Sequence, residues 1–169
     1  NKNGATGSSK DYYYENSSGA FDPSFDVYGP IKVSGGYAEY GSNDAYGFEP
    51  TDYLLAEACR LADKDIDFSD YDLDSDGLVD NVFFFYAGHN EAEGGGSDRI
   101  WPHAWAIYRD QVYLDGVQVF QFACTSEYNG YAGQDMANIG TFTHEFAHVI
   151  GLPDFYDTNY DENGWTCGM

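Results

Sequence analysis

The segment HEFAHVIGLPD at residues 144–154 contains two histidines and a glutamate with the spacing of a zinc site. Residues four apart on a helix share one face, so His144 and His148 can bind the same Zn²⁺ ion. A catalytic zinc needs three protein ligands and one open position, where water is acidified to a pKa of about 7. Glu145 would accept the proton of this water and pass it to the leaving amine. The pattern predicts one catalytic zinc ion and hydrolysis of a peptide bond.

The third zinc ligand must come from the chain that follows this helix. Gly151 can adopt the left-handed conformation that ends a helix and turns the chain back beneath the metal. That turn brings Asp154 within reach, and two histidines with one carboxylate form an accepted catalytic zinc shell. We therefore predict Asp154 as the third ligand and keep Asp157 as the alternative. Glu162 is less favoured, because a distant glutamate ligand usually comes from a second helix and residues 155–163 show none.

Residues 72–80, with the sequence DLDSDGLVD, have the pattern of a calcium-binding loop. Such a loop supplies carboxylates at alternate positions, a glycine for the sharp turn and one backbone carbonyl. The predicted ligands are Asp72, Asp74, Asp76, the carbonyl of Leu78, and Asp80. The twelfth position holds Phe83 instead of glutamate, so a full helix-loop-helix unit is not expected, and Asp67 or Asp70 could supply the missing carboxylate. The alternative is a solvated acidic loop, in which the crowded acids would repel one another without a cation.

Other histidines and acids give weaker signals. His103 lies between Trp101 and Trp105 and is interpreted as a packed structural residue, and His89 as a surface or loop residue. An acidic, glycine-rich stretch could hold a second Ca²⁺ ion or form a flexible loop, and both interpretations stay open. Its acidic residues are Glu91, Glu93 and Asp98.

Three helices are predicted from apolar spacing and from residues that start or stop helices. An amphipathic helix is expected over residues 50–63, where apolar side chains recur on one face. The zinc-site helix is expected over 137–150, ended by Gly151 and Pro153. Residues 12–15 are the best candidate for a further short helix.

The strands predicted from the sequence would form the sheet behind the zinc site. The apolar run at 82–87 indicates a buried central strand. Asp115-Gly116 lies between two alternating runs and predicts a hairpin over 111–124. We expect its second strand, 117–124, to line the cleft and to pair with an extended substrate through main-chain hydrogen bonds.

Composition and charge exclude several classes of partner. The chain has 169 residues with 7 Lys+Arg against 29 Asp+Glu, which gives a formal net charge of −22. Proteins that bind nucleic acid or anionic lipid need basic side chains to neutralise phosphates. No apolar run has the length of about 18 residues that a membrane span needs. We therefore expect no nucleic acid partner and no membrane insertion, and the acidity is compatible with secretion into a calcium-containing medium.

The sequence is interpreted as one folded domain preceded by a short polar segment. Residues 1–11 are expected to be a leader or linker, and 12–169 a catalytic domain that is truncated at its C-terminal end. Residues 25–33 are expected to form a bent strand or hairpin and 34–48 a loop. The three cysteines, Cys59, Cys124 and Cys167, show no metal-ligand spacing, and Cys59 is expected in the core.

Several sequence blocks, in this order and spacing, give the chain a specific family resemblance. They are YYYENSSGAFD at 12–22, the acidic and aromatic stretch at 65–96, IWPHAW at 100–105 and HEFAHVIGLPDFYDT at 144–158. With these blocks the chain resembles the immune inhibitor A-like metallopeptidases, secreted bacterial zinc proteases of the metzincin clan. The resemblance implies a zymogen-derived secreted endopeptidase acting on proteins or peptides. It also implies zinc ligands at His144, His148 and Asp154 and a general base at Glu145.

The expected fold is α+β and zincin-like, with a mixed twisted sheet, a backing helix and an active-site zinc helix. Metzincins carry a methionine turn beneath the zinc, and either Met169 or a methionine beyond it would supply this residue. Two alternatives to a protease are a catalytically inactive, calcium-stabilised extracellular binding module and a zinc hydrolase acting on non-peptide substrates. An intact Glu145 with an open zinc position favours catalysis.

Overall fold

The computed structural model describes residues 7–155. The helices are α1 (Ser9–Asn16), α2 (Tyr37–Gly41), α3 (Thr51–Ala62) and α4 (Ile139–Val149), with a 3-10 helix at Phe68–Tyr71. The strands are β1 (Val82–Tyr86), β2 (His103–Ala106), β3 (Val112–Leu114), β4 (Val117–Val119) and β5 (Gln121–Ser126). None of the helices within residues 7–155 has the length and apolar character needed to cross a membrane. The elements make a mixed α+β fold.

The main sheet has three strands in the order β1-β5-β2. β1 runs parallel to β5, and β2 runs antiparallel to it, so the sheet is mixed as expected. The strand predicted at 82–87 is therefore confirmed as β1, but its predicted central position is wrong within the described sheet. The centre is β5, whose residues are buried from Phe122 to Ser126, whereas Phe85 of β1 is 59% exposed.

The predicted turn at Asp115-Gly116 is confirmed. Both residues have positive φ, 51° and 89°, and they join β3 to β4 in an antiparallel pair. The hairpin ends at Val119 and does not continue to residue 124, because the chain then joins the larger sheet as β5. The burial alternation changes phase between Val119 and Phe122, which is the point where the chain changes sheets.

The sheet is covered by α3 on one face and by α4 on the other. Leu55 and Cys59 of α3 belong to the same buried cluster as Phe122 and Cys124 of β5. The opposite face carries Phe83, which contacts Phe142 of α4 at a ring-centroid distance of 4.4 Å. On that face β5 presents Ala123, the register partner of Phe83. A small side chain there lets α4 approach the sheet closely.

The long helices agree with the sequence predictions to within about two residues. The helix predicted over 50–63 is α3, and the helix predicted over 137–150 is α4. The short helix predicted over 12–15 is longer, because α1 begins at Ser9, inside the segment predicted as a leader or linker. Ser8 explains this start, since its hydroxyl accepts a hydrogen bond from the Asp11 N–H at 3.2 Å.

The segment before α3 differs from the prediction. Residues 25–33 form neither a strand nor a hairpin, because no other strand pairs with them within residues 7–155. They run as irregular chain beside the C-terminal end of α3, where residues 27–32 line a groove with Leu61, Ala62, Lys64 and Asp65. The predicted loop at 34–48 contains the short helix α2. At the start of this helix the Glu39 carboxylate accepts a hydrogen bond from the Gly36 N–H at 2.7 Å.

Candidate metal centre

Helix α4 carries the predicted zinc residues and is fixed at its start and along its buried side. The Asn138 side chain caps the helix by accepting a hydrogen bond from the Gly140 N–H at 2.8 Å. The buried residues of the helix are Phe142, Thr143, Glu145, Phe146 and Ala147. His144 and His148 are only partly buried, so their rings are accessible.

The structure brings His144, Glu145 and His148 together. The two imidazole rings have centroids 4.8 Å apart and planes at 81°. Ligand atoms of the three residues all lie within 4.8 Å of one another. This is the arrangement that the helical spacing predicts.

The turn after α4 has the hydrogen bonds of a Schellman motif. The Gly151 N–H bonds the His148 carbonyl at 2.9 Å, and the Leu152 N–H bonds the Ala147 carbonyl at 2.9 Å. Gly151 has φ of +91°, a left-handed conformation that other residues rarely adopt. The chain therefore reverses immediately after the helix, as the sequence predicts.

This reversal places Asp154 beside both histidines. Its Oδ1 lies 3.3 Å from the Nε2 atom of His144 and 3.3 Å from the Nε2 atom of His148. Asp154 Oδ1 is buried and has no hydrogen-bond partner within the described residues. A buried carboxylate oxygen is costly when it is unsatisfied. Two imidazole nitrogens and this oxygen fit a divalent cation, and the donor set suits zinc.

The surroundings of His148 orient its ring for metal binding, and those of His144 favour its neutral form. His148 Nδ1 lies 2.9 Å from the Leu152 carbonyl, which can only accept a hydrogen bond. Nδ1 therefore carries the proton, and the Nε2 lone pair is left for a metal. Burial and the nearby His148 lower the pKa of His144, against the opposing charge of Asp154. A neutral imidazole is the ligand form, so this direction favours metal binding.

Glu145 is buried between α4 and strand β2. Its side chain is 7% exposed. Burial raises the pKa of Glu145 to about 7, with Asp154 adding to the rise, while His148 and a hydrogen bond from the Ala104 backbone oppose it. A carboxyl group with a pKa near neutrality is suited to general acid-base catalysis.

Ala104 identifies β2 as the strand next to the candidate site. β2 lies at one end of the main sheet, so one of its edges has no partner strand within residues 7–155. The predicted pairing of strand 117–124 with a substrate is wrong, because β5 is paired on both sides and β4 lies between β3 and the bridge from Leu78. β2 was missed because its four residues are too few for periodicity, although aromatic residues flank His103.

His103 and His89 have structural partners. His103 Nε2 lies 3.0 Å from Thr51 Oγ1, and its Nδ1 lies 2.6 Å from the Trp101 carbonyl. Burial lowers the pKa of His103, so the interpretation as a packed structural residue is confirmed. His89 lies in a loop and is half-buried, with Nδ1 3.0 Å from the Gly130 carbonyl.

The predicted calcium loop brings its first three acids together. Ligand oxygens of Asp72, Asp74 and Asp76 lie within 4.8 Å of one another. The Asp72 carboxylate accepts hydrogen bonds from the N–H groups of Asp76 and Gly77, both at 3.0 Å. Gly77 has φ of +88°, which provides the sharp turn that the pattern requires.

The remaining residues of this loop connect it to the β3-β4 hairpin. Leu78 forms a parallel bridge with Gln118 of β4. Asp80 lies outside the compact group, and its Oδ2 accepts a hydrogen bond from the Leu73 N–H at 3.3 Å. Asp67 caps the 3-10 helix by bonding Ser69. Asp70 lies within that helix and is not in the compact group.

In the acidic, glycine-rich stretch, Glu93 forms hydrogen bonds within the protein. Glu93 Oε2 accepts hydrogen bonds at 2.9 Å from Asn90 Nδ2 and from the Gly130 N–H. Neither Glu91 nor Asp98 joins Glu93 in a group compact enough to hold a metal ion within the described residues.

Cys59 and Cys124 are free and buried, so the expectation for Cys59 is confirmed. Asp157, Glu162, Cys167 and Met169 lie outside the described residues.

Comparison with known proteins relates this chain to a family of metallopeptidases. The family model of the immune inhibitor A peptidase M6 catalytic domain matches residues 1–169. Immune inhibitor A of Bacillus thuringiensis subsp. alesti is 29% identical over 181 residues, covering 92% of this chain and 26% of the relative. Pre-pro-metalloprotease PrtV, in two strains of Vibrio cholerae serotype O1, is 31% identical over 182 residues, covering 90% of this chain and 19% of the relative. The chain thus spans about a quarter or less of these relatives, and it belongs to the immune inhibitor A peptidase M6 family.

Proposed function

We propose that this chain is the catalytic domain of a secreted zinc-dependent endopeptidase. The observation that supports this most strongly is Asp154 Oδ1, which is buried without a hydrogen bond at 3.3 Å from both histidine Nε2 atoms. Family membership and the metalloproteases among the relatives support the same conclusion.

In this proposal His144, His148 and Asp154 hold one zinc ion. The ion, when bound, polarises the scissile carbonyl and makes water a nucleophile near neutral pH. The Leu152 carbonyl fixes the His148 tautomer and ring orientation. The Schellman turn at Gly151 fixes the separation between the helix and Asp154.

Glu145 is the proposed general base. Its carboxyl takes the proton from the attacking water and gives it to the leaving amine as the peptide bond breaks. A pKa raised to about 7 keeps both transfers near balance at neutral pH. The Ala104 backbone orients this carboxyl from the strand side.

We place the substrate along the outer edge of β2. An extended peptide can add to an open strand edge through main-chain hydrogen bonds. Because β2 is next to Glu145, such a peptide would cross the zinc residues. A crystal structure with a peptidomimetic inhibitor tests this assignment, which fails if the inhibitor makes no backbone hydrogen bonds to residues 103–106.

The proposed protease has a zincin-like fold, a single catalytic domain and an extracellular location. The active-site helix, the mixed sheet and the backing helix α3 support a zincin-like fold of the metzincin type, with residues 12–169 forming the catalytic domain. The relative described as a pre-pro-metalloprotease supports synthesis as a secreted zymogen. Protein or peptide substrates follow from the peptidase family.

We further propose a structural Ca²⁺ ion at residues 72–80. The support is the compact group of three carboxylates together with the positive φ of Gly77. The predicted ligands remain Asp72, Asp74, Asp76, the Leu78 carbonyl and Asp80. The ion would stabilise the segment that joins α3 to β1. This segment is separate in sequence from the proposed zinc residues at 144–154.

The proposed activity is tested by comparing the full-length parent protein with its Glu145→Ala variant. Zinc content and hydrolysis of denatured casein are measured on the same preparations. We expect the variant to retain one zinc per chain, because Glu145 is not a ligand, and to lose activity by about 10²- to 10⁴-fold. A zinc-loaded variant that cleaves casein at the wild-type rate contradicts the mechanism. A zinc-loaded wild-type protein without peptidase activity supports the binding module or a non-peptide hydrolase instead.

A further inference from the structure

Helix α1 contacts the active-site helix through one buried tyrosine. The Tyr13 side chain is 6% exposed. Its hydroxyl donates a hydrogen bond to the Thr143 carbonyl at 2.5 Å, across 130 residues of chain. Thr143 directly precedes His144, so this bond is attached to the peptide unit that leads into the first proposed zinc ligand.

The ring of Tyr13 belongs to a small aromatic cluster on α4. This cluster contains Tyr13, Phe142 and Phe146 as buried members, and Phe21 packs against it. The rings of Tyr13 and Phe146 meet edge to face, with centroids 5.3 Å apart. Residues 142 and 146 lie about 120° to 160° around the helix from residues 144 and 148. The cluster therefore supports α4 from the side opposite the two histidines.

The hydrogen bond joins the Tyr13 side chain of α1 directly to the backbone of α4. A helical carbonyl keeps a second lone pair after making its bond within the helix, and Tyr13 uses that site on Thr143. The Thr143 hydroxyl bonds the Gly140 carbonyl at 2.9 Å, within the same helix. The Tyr13 contact thus ties this backbone turn to α1, whereas the bond of the Thr143 hydroxyl stays within the helix.

We propose that Tyr13 is a positioning residue for the metal site, acting through the Thr143 carbonyl. The proposal rests on the proposed zinc function of His144, His148 and Asp154. The hydroxyl restrains the Thr143 carbonyl, and thereby limits both the sliding of α4 along its axis and its rotation about that axis. The direction of His144 relative to Asp154 depends on that backbone, because Asp154 is held separately by the turn at Gly151.

Tyr13→Phe in the full-length protein tests this proposal with a minimal change. The variant keeps the aromatic ring and its packing and removes only the hydroxyl. We expect zinc affinity, measured by competition with a chromophoric chelator, to fall by about tenfold, the lower end of the effect of removing supporting hydrogen bonds. We also expect the visible absorption bands of the Co²⁺-substituted protein to shift, because they report the geometry of the ligands.

Two control variants separate positioning from general stability. Tyr14→Phe removes a hydroxyl from the adjacent tyrosine, which is 49% exposed, and should change neither measurement. Leu55→Ala weakens the other hydrophobic cluster and should lower the melting temperature without moving the Co²⁺ bands. If Tyr13→Phe lowers only the melting temperature, like Leu55→Ala, the proposal is wrong and Tyr13 is purely structural.

Failure of the Tyr13 proposal can be distinguished from failure of the proposed peptidase function. A wild-type protein that binds metal but cleaves no peptide contradicts the peptidase proposal, while the Co²⁺ comparison still measures positioning by Tyr13. A wild-type protein that binds neither Zn²⁺ nor Co²⁺ at His144 and His148 overturns both proposals.

Discussion

At the level of single residues, Asp154 is the strongest indication of a metal site, because two neighbouring histidines alone would not require a metal ion. Its buried Oδ1 has no hydrogen-bond donor within the described residues. Protonating a histidine would supply a charge partner, but burial lowers the pKa of His144 and opposes this. A divalent ion satisfies all three ligand atoms without adding a proton.

Asp154→Asn should weaken zinc binding strongly. The change keeps the shape of the side chain and removes the negative charge, so we expect zinc affinity to fall by at least about 100-fold, more than for a supporting residue. Chelator competition on the full-length protein measures this effect, with Asp157→Asn as the matched control. A larger effect of Asp157→Asn would transfer the ligand assignment to Asp157.

Glu49 should make stability depend on pH. Burial raises its pKa to about 7, with the charge of Glu91 adding to the rise and a hydrogen bond from the Trp101 N–H opposing it. The folded state therefore prefers the protonated acid, and this contribution to stability is lost as pH rises from about 4.5 through about 7. Glu49→Gln should match the wild-type melting temperature near pH 4 to 5 and exceed it near pH 8.

Glu57→Gln provides a control of opposite sign for this pH effect. Hydrogen bonds from Tyr40 and Ser34 lower the pKa of Glu57, so its contribution to stability is present above the ordinary glutamate pKa and lost in acid. This variant should lose stability near neutral pH. A Glu49→Gln protein that follows the Glu57→Gln profile would show that the Glu49 carboxylate is stabilised in the fold.

At the level of elements, the sequence predicted what depends on local spacing. Helices α3 and α4 and the Asp115-Gly116 turn follow from apolar periodicity and from residues that favour particular dihedral angles. The convergence of His144, His148 and Asp154 follows in the same way, because all three lie within about three helical turns of chain.

Features that depend on distant contacts were not predicted. The order β1-β5-β2 depends on pairing between strands that are far apart in sequence. The role of β2 beside Glu145 depends on the same pairing. The contact of Tyr13 with Thr143 spans 130 residues and has no signal in either local segment. Residues 25–33 have strand-forming composition, but a strand also needs a partner, and none is present within residues 7–155.

The acidic loop should make stability depend on calcium. Saturating Ca²⁺ stabilises the folded state by mass action, by about 2.7 kcal/mol at a hundredfold excess over Kd. For a domain of this size we expect a rise in melting temperature of several degrees, about 5 °C or more. Asp74→Asn and Asp76→Asn should abolish the rise, and Asp63→Asn, at the end of α3, should retain it. An equal rise in all variants would leave 72–80 as a solvated loop.

At the level of the whole molecule, the net charge of −22 opposes folding. Like charges repel more strongly in the compact state than in the unfolded chain. The described ion pairs involve few residues, as expected for a chain with 7 basic side chains. Cations bound at the two proposed sites would reduce this repulsion.

Neutral salt should stabilise the protein when calcium is absent. Raising the ionic strength from about 0.01 M to about 0.3 M shortens the screening length from about 30 Å to less than 10 Å. We expect the melting temperature in chelator-treated samples to rise with NaCl, and the additional effect of Ca²⁺ to persist at high salt. A melting temperature that falls with NaCl would indicate that attractive ion pairs dominate the charge interactions.

Anomalous diffraction at the zinc edge, from crystals of the zinc-loaded full-length protein, tests the central claim most directly. The account predicts one strong peak at about 2.0–2.2 Å from His144 Nε2, His148 Nε2 and an Asp154 carboxylate oxygen. Glu145 should lie near this peak without contacting it as a ligand. A peak without Asp154 among its ligands, or no peak between the two histidines, would contradict the proposed zinc site.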